Sequence, residues 1–440
     1  LPPDAEFKGY QTIIVQGLKI QTDNILFKKE VYYSRSKNKT FIGNLPNGHN
    51  GGYSPELKAL IITMKNAYNM SESKILDFLD NHNIQISDAS ISNILIKKTE
   101  AFDQEKEDLF KAGLESSPYQ QIDDTVARVN GENYHTHVIC NPLFTAYFTR
   151  ENKTRLTILK ILNLDSELTY RIDHEALGLL SQLRVGKKYT EALTPLIVEQ
   201  DFNEDDIQRF LTETFPNLSE RLRVQILEAT GISSYHKRTG IPVVKILLCD
   251  DAPQFKLLTE ALMLCWVHEG RHYKKLRPVV SLNVKELNTF EKKFWKFYRQ
   301  LLKYKRCPSA DAAKKLSDKF DNLFSTKTGY IALDDRIVKT KQKKEELLLV
   351  LKYPDLPLHN NASELAARVS VRKRDISLHT VTDEGTNAND TFLSIIETCR
   401  KLGVNAYEYI LDRMNKTFAL PSLAQLIRSR SFNHSIAFSP

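Results

Sequence analysis

The spacing of apolar and polar positions divides the chain into stretches of different period. Residues 1–50 alternate in short runs and end in a Gly/Asn/Pro-rich segment, the pattern of a small β-rich module and a linker. From Ser54 the period becomes helical. Ser54, Ser71 and Ser87 each stand where an N-cap belongs, and Pro55 takes the first helical position, so 51–115 reads as a helical region. Its two helices after Ser71 and Ser87 are separated by a short turn, as in a helix-turn-helix or a plain three-helix bundle. In the first case Ser87–Lys98 is the recognition helix, presenting Ser90, Asn93, Lys97 and Lys98.

Residues 116–164 carry the clearest strand signal. Asn130-Gly131 separates two alternating runs, a third follows Asn141-Pro142, and a helix follows that, so an antiparallel three-strand meander is expected with Asp123-Asp124 in its first strand. Residues 165–240 are polar and helical. Within 241–282, the apolar run Ile246–Leu248 ends in Asp250-Asp251, a buried strand delivering carboxylates at its C-terminal end. An amphipathic helix after Pro253 and a second strand over 261–267 are expected next, leading into His268, Glu269, Arg271 and His272. Residues 283–350 form a second helical stretch rich in Lys, Arg and aromatics. Its basic helix, Lys292 to Arg306, suits a nucleic-acid backbone, or is a solvated face with its aromatics in the core. In 351–415 a helix starting near Asn360 puts Asn360, Asn361, Glu364 and Arg368 on one face, followed by Arg372, Lys373 and Arg374. Two more helices follow, and 416–440 reads as a peripheral tail.

Composition narrows the class. With 440 residues and 41% hydrophobic content the chain fills two or three globular units. Five scattered cysteines without a CxxC pair point to buried thiols in a reducing compartment, rather than a disulfide framework or a cysteine zinc module. No apolar run approaches the roughly 18 residues of a membrane helix, and the start lacks a leader pattern, so a cytoplasmic protein without membrane contact is expected, one whose beginning at Leu1 suggests a processed or truncated start. A net charge of +8 alone says little about nucleic acid.

The acids say more. Asp123, Asp250 and Glu364 come from two strands and a helix in an order suited to a two-metal phosphoryl-transfer site, because hard cations take oxygen ligands and a metal pair must bridge one phosphate. A competing pattern, His268-Glu269-Gly270-Arg271-His272, spells the H-E-x-x-H of zinc peptidases; Gly270 at the helix centre, basic flanks and the lack of a third ligand at a motif spacing argue against it. His135 and His137 share a strand face and read as packing or surface residues.

Four blocks together resemble transposases of the insertion-sequence-66 family: Ile122-Asp123-Asp124-Thr125; Asp250 with Phe255; Cys265-Trp266-x-His268-x-x-Arg271-x-Tyr273; and Asn360-Asn361-x-x-Glu364-x-x-x-Arg368. Ser394–Thr398, Gly403-Val404 and Tyr407 continue the likeness, which spans roughly 40–410. The resemblance implies an α+β, ribonuclease-H-like core with a mixed five-stranded sheet and two helical insertions. It also implies DDE chemistry with Asp123, Asp250 and Glu364 as catalytic metal ligands for two Mg²⁺ or Mn²⁺ ions. His268, Arg271, Asn361 and Arg368 would support them, and Arg372, Lys373 and Arg374 would contact phosphates. Element ends and target DNA, a dimer or larger assembly, accessory proteins and nucleoid association in a bacterium follow as expectations. Where the family usually has Glu and Gly this chain has Asp124 and Asp251, so either member of each Asp pair could be the ligand, though strand alternation allows only one. His359 stands for the usual Asp, Leu365 for the usual Arg, and the basic segment is one residue shorter. A DNA-binding regulator that no longer cuts, and a nuclease that does not transpose, are the alternatives.

Overall fold

The computed structural model describes residues 1–49, 51–197 and 200–431. The chain enters through a hairpin, β1 (Val31–Ser34) and β2 (Lys39–Ile42), with no buried residue anywhere in 1–49. The expected β-rich module is therefore one hairpin without a core of its own. Three helices follow: α1 (Pro55–Asn66), α2 (Glu72–Asp80) and α3 (Asp88–Ile96). Ser54, Ser71 and Ser87 cap them by accepting the amides of Leu57, Lys74 and Ser90, as the sequence predicts. Next come α4 (Glu100–Glu115) and the meander β3 (Tyr119–Val129), β4 (Glu132–Asn141) and β5 (Phe144–Arg150). The β3–β4 turn needs positive φ at both central residues, and Asn130 (50°) and Gly131 (81°) supply it.

Between β5 and β8 the chain forms α5 (Arg155–Leu162), the helix expected after the meander, and then β6 (Tyr170–Arg171), α6 (His174–Gln182), α7 (Lys187–Leu193), β7 (Asp201–Phe202), α8 (Glu204–Thr214) and α9 (Glu220–His236). The chain then returns through β8 (Ile246–Cys249) and β9 (Ala261–Leu264). Between them the expected amphipathic helix is a single 3-10 turn, Pro253–Phe255, because only a short link joins the two strand ends. The expected second strand also stops earlier, at Leu264. Cys265 caps a helix, α10 (Trp266–Lys274), which carries His268.

The second insertion is α11 (Ser281–Tyr304), α12 (Ala310–Leu323), α13 (Ile331–Lys341) and α14 (Lys344–Leu347), followed by α15 (Asn361–Ser377), α16 (Asp383–Leu402), α17 (Ala406–Asn415) and α18 (Leu423–Ser431). The stretch read as a peripheral tail is docked as far as α18, since Leu423 and Ile427 are fully buried; 432–440 lie outside the described residues. Among the described residues, no helix is long and apolar enough to cross a membrane.

The central sheet has the order β5-β4-β3-β8-β9, antiparallel across the meander and parallel from β3 through β9. This is the mixed five-stranded arrangement of a ribonuclease-H-like core. The edge strand β5 is closed by α16. Asp390, Ser394 and Thr398, at i, i+4 and i+8, accept the amides of Thr149 (2.5 Å), Tyr147 (2.9 Å) and Thr145 (3.2 Å). A helix face of short polar side chains thus satisfies the outward amides of an edge that would otherwise pair with another chain.

The aromatics of the second insertion form a core rather than a stacking platform. Trp266 is fully buried, donates its indole N–H to the Leu347 carbonyl (2.8 Å) and packs on Phe294 and Phe297, with ring centroids 5.5 and 5.6 Å away. Lys292, Lys293, Lys296, Arg299, Lys303 and Arg306 remain exposed on the opposite face, while Lys305 is half-buried against the Asp355 and Leu356 carbonyls. Gly270 has a packing reason: a Cβ there would lie 2.6 Å from the Trp295 ring. Gly270→Ala is expected to cost about 1–3 kcal/mol by overpacking despite its better helix propensity; a thermal melt at or above the wild type would refute that contact.

Candidate active site

Two strands deliver the first two acids. β3 and β8 pair in parallel as Tyr119↔Ile246, Gln120↔Leu247 and Gln121↔Leu248, so the strand ends carry Asp123 and, one residue past β8, Asp250 to the same edge, where the charge of Asp250 acts on Asp123. The pleat decides which face each acid takes. Asp123 stands opposite Val138, and Val138 opposite Tyr147, so these three share one face of the sheet. That face is the one under α15 and α16, where Val138 and Tyr147 pack with Ala366, Ala367 and Leu393. Asp124, opposite His137, points to the other face. His137 is buried there as a packing residue, its ring Nε2 3.2 Å from the Asn152 carbonyl.

Electrostatics divide each Asp pair the same way. Asp124 is salt-bridged to Lys153 (3.1 Å) and accepts from Gln254 (2.7 Å). Asp251 is held between Lys256 (2.8 Å) and Lys343, which outweigh the upward push of burial and keep its carboxyl below the usual range. Asp123 accepts only the neighbouring Asp124 amide (2.9 Å), and Asp250 accepts the Ala252 amide (3.0 Å). No cation among the described residues pairs with either. Burial pushes Asp123 up to about 7, against that amide bond, and the charges of Asp250, Asp124 and Glu364 push it the same way.

Glu364 arrives on the first turn of α15, whose start is clamped by Asn360. This residue is fully buried. Its side-chain amide donates to the Ile122 carbonyl beside Asp123 (2.8 Å), its backbone N–H donates to Cys265 Sγ (3.2 Å), and its carbonyl accepts the Glu364 amide (3.1 Å). One asparagine therefore ties β3, the end of β9 and the acid-bearing helix together. In the sequence Asn360 stood out as a face-sharing neighbour of Glu364 and as the start of the Asn360-Asn361-x-x-Glu364 block, with no role of its own assigned to it.

Glu364 Oε2 accepts Arg271 Nη2 (3.0 Å), and Arg271 Nη1 lies 2.8 Å from His268 Nε2. His268 Nδ1 stands 3.5 Å from Glu364 Oε1, and both atoms are buried without a hydrogen-bond partner. Burial lowers the His268 pKa, against the upward pull of Glu364. Among the described residues, one group of three His, Cys, Asp or Glu donors, Cys265, His268 and Glu364, has its ligand atoms within 4.8 Å of one another. Asp123, Asp250 and Glu364 do not close to that spacing, and Glu364 is paired with Arg271 of α10.

The H-E-x-x-H pattern does lie on a helix, but its Glu is occupied. Glu269 is 3% exposed and held by Arg336, Thr340 and Lys343 (3.2 Å). Burial alone would raise its pKa, yet those partners hold it below the usual carboxylate range, so it offers no free base to a zinc-bound water.

The other expected positions scatter. Asn361 and Arg368 are exposed on α15, beside rather than within the acid cluster. Ser90 sits in the capping turn of α3, within 2.9 Å of Ser87 Oγ; Asn93 is exposed; Lys97 pairs with Glu384; and Lys98 lies past the helix in a left-handed conformation (φ 58°). Arg372 is exposed, and Arg374 is half-buried, donating to the Val126 carbonyl. Lys373, read as an open phosphate contact, is buried and donates to Asn66 instead, because its position on α15 turns inward against α1.

Fold and site together define a ribonuclease-H-like protein with two unpaired aspartates at the parallel junction of its sheet and a glutamate on the helix above them. Residues 240–388 match the family model described as Transposase IS66 family. An uncharacterized protein of Sinorhizobium fredii (strain NBRC 101917 / NGR234), y4jO, is 33% identical over 324 residues, covering 73% of this chain and 100% of that protein. The chain belongs to the IS66 transposase family. The matched segment contains Asp250, the Cys265–Tyr273 block and Glu364; Asp123 lies outside it, and the parallel pairing of β3 with β8 brings it near Asp250.

Proposed function

We propose that the protein is a DDE-type DNA transposase that cleaves phosphodiester bonds at element ends and joins the freed 3′ ends to target DNA, with Asp123, Asp250 and Glu364 as its metal ligands. The observation that carries this reading is the contrast within each Asp pair: Asp124 and Asp251 are neutralised by lysines, while Asp123 and Asp250, brought near each other by the pairing of β3 with β8, have no cationic partner. The donors suit a hard divalent cation. They are carboxylate oxygens; Asp123 and Asp250 repel each other with no cation between them, and Glu364, paired with Arg271 through Oε2, keeps its buried Oε1 without a hydrogen-bond partner.

Mg²⁺ or Mn²⁺ held there, two ions by the family's chemistry, would activate the attacking water or 3′-hydroxyl and stabilise the leaving oxygen. Asn360 fixes the helix start that carries Glu364 relative to the strand that carries Asp123. Arg271 and His268 steady the Glu364 carboxylate and stand ready to meet a scissile phosphate. Arg372, Arg374, Asn93, Lys98 and the open basic face of α11 are the phosphate contacts of this reading, with DNA ends held in a dimer or larger assembly and accessory proteins as further partners.

The test is cleavage and strand transfer of labelled element ends with Mg²⁺, with Mn²⁺ and with EDTA. Joining of cleaved ends supports the transposase; cutting without joining reduces the reading to a nuclease, and DNA binding without cutting to a regulator. Binding affinity should also fall steeply with salt, by about a thousandfold or more between 50 and 200 mM if six or more phosphates are contacted. A flat salt dependence would remove the basic face of α11 from the interface.

A further inference from the structure

Lys373 is buried, and no carboxylate among the described residues forms an ion pair with it. Burial holds its pKa down to about 7, with nearby Lys65 pushing the same way. Asp390, which pulls in the other direction, has both carboxylate oxygens committed to Thr149. A buried amine without a counter-ion is costly, and this one borders a space able to admit a counter-ion.

That space is a half-open cavity of about 380 Å³ lined by α1, α3, β3, the C-terminal half of α15 and the start of α16. Leu378, at φ 63°, ends α15 and sends the chain back along the hairpin, where the Asn130 amide donates to the Thr380 carbonyl (2.8 Å) and closes one wall. Lys65 and Arg374 line the cavity together with Lys373. The acid on the wall, Glu72, is already 3.4 Å from Lys65. Apolar side chains, among them Ile96 and the buried Phe392, also line it. Lysines and apolar side chains lining one space, in a volume typical of small-molecule sites, match a ligand that carries both a phosphate and a flat apolar body.

We propose that this cavity receives one deoxynucleotide of the bound DNA strand, its phosphate on Lys373 and Lys65 and its base against Ile96 and Phe392. The inference rests on the DNA reading above and deepens it. α15 carries Glu364 near its start and Lys373 nine residues later, about 14 Å along the axis. β3 carries Asp123 and, a few residues on, Val126 and Arg128 at the cavity wall. A strand with its scissile phosphate at the acids therefore reaches the cavity within a few nucleotides, and the accepted nucleotide leaves the base stack to enter it.

The experiment uses the full chain in EDTA. Calorimetric titration with deoxyadenosine monophosphate and with inorganic phosphate is run on the wild type, Lys373→Met, Lys65→Gln and Asp250→Asn. The wild type and Asp250→Asn should bind the nucleotide alike and more tightly than phosphate. Lys373→Met should lose at least tenfold in affinity while melting no lower than the wild type, because it removes an uncompensated buried charge; Lys65→Gln tests the same pocket from a second element. In DNA ends carrying 2-aminopurine at successive positions beside the cleaved bond, fluorescence should rise at one position in the wild type and stay low in Lys373→Met. Phosphate binding as tightly as the nucleotide would reduce the cavity to a small-anion site and overturn the proposal. Unchanged binding in Lys373→Met, loss in Asp250→Asn, or no brightened position would overturn it as well. If Asp250→Asn cuts DNA normally while nucleotide binding still requires Lys373, the acid assignment fails and the cavity assignment survives.

Discussion

Asp250→Asn is expected to abolish cleavage of element ends, by on the order of a thousandfold or more, and to leave the fold intact. Removing one carboxylate ligand forfeits several kcal/mol of transition-state charge stabilisation, and each 1.4 kcal/mol is tenfold in rate. The fold should not suffer, because Asp250 has no cationic partner to strand. Asp123→Asn should be equally inactive and should melt higher than the wild type at pH 8 without divalent ions. Its carboxyl, raised to about 7, binds a proton in the folded protein between about pH 4 and 7 that the unfolded chain lacks, so wild-type stability falls as pH rises through that window. The advantage of Asp123→Asn should disappear near pH 4, and Mg²⁺ should raise the wild-type melt and not that of the variant. Full cleavage by a well-folded Asp250→Asn protein would remove the acid from the site, and cleavage lost in Asp124→Asn instead would show that the wrong member of the pair had been chosen.

Glu269→Ala carries the second large effect, on stability. It leaves Arg336 and Lys343 without their buried counter-charge, and breaking a buried pair from one side costs about 3–5 kcal/mol. Because Glu269 is depressed by these partners, its contribution is present at neutral pH and is lost as pH falls through the folded-state value. Wild type and variant should therefore converge in acid. Glu269→Gln, which keeps the shape and part of the hydrogen bonding, should lose less. A Glu269→Ala protein that melts with the wild type at neutral pH would show that the network with Arg336, Thr340 and Lys343 does not form. Zinc-dependent peptide hydrolysis that vanished in Glu269→Gln would revive the peptidase reading of His268–His272.

What could be read along the chain was local. The three serine caps, the Asn130-Gly131 turn, the alternation of the meander and the apolar strand before Asp250 are each determined within a few residues by backbone hydrogen bonding and allowed φ, and each stands in the structure at its expected place. The approach of Asp123 to Asp250, the face on which Asp123 lies and the lysines that neutralise Asp124 and Asp251 depend on which strands meet and in what register, and no local period encodes that. The same limit explains Lys373 and the aromatics of α11. A basic run looks like surface until α1 closes over Lys373, and an aromatic-basic helix leaves its aromatics open to either a nucleic-acid face or a core until Trp266 packs against them. Sequence alone determined the elements and the acids they carry, because those depend on neighbours in the chain. Only the tertiary structure decided which acids stand free, which lysine is buried and where a cavity lies, because burial and most charge pairing are set by residues tens to hundreds of positions apart.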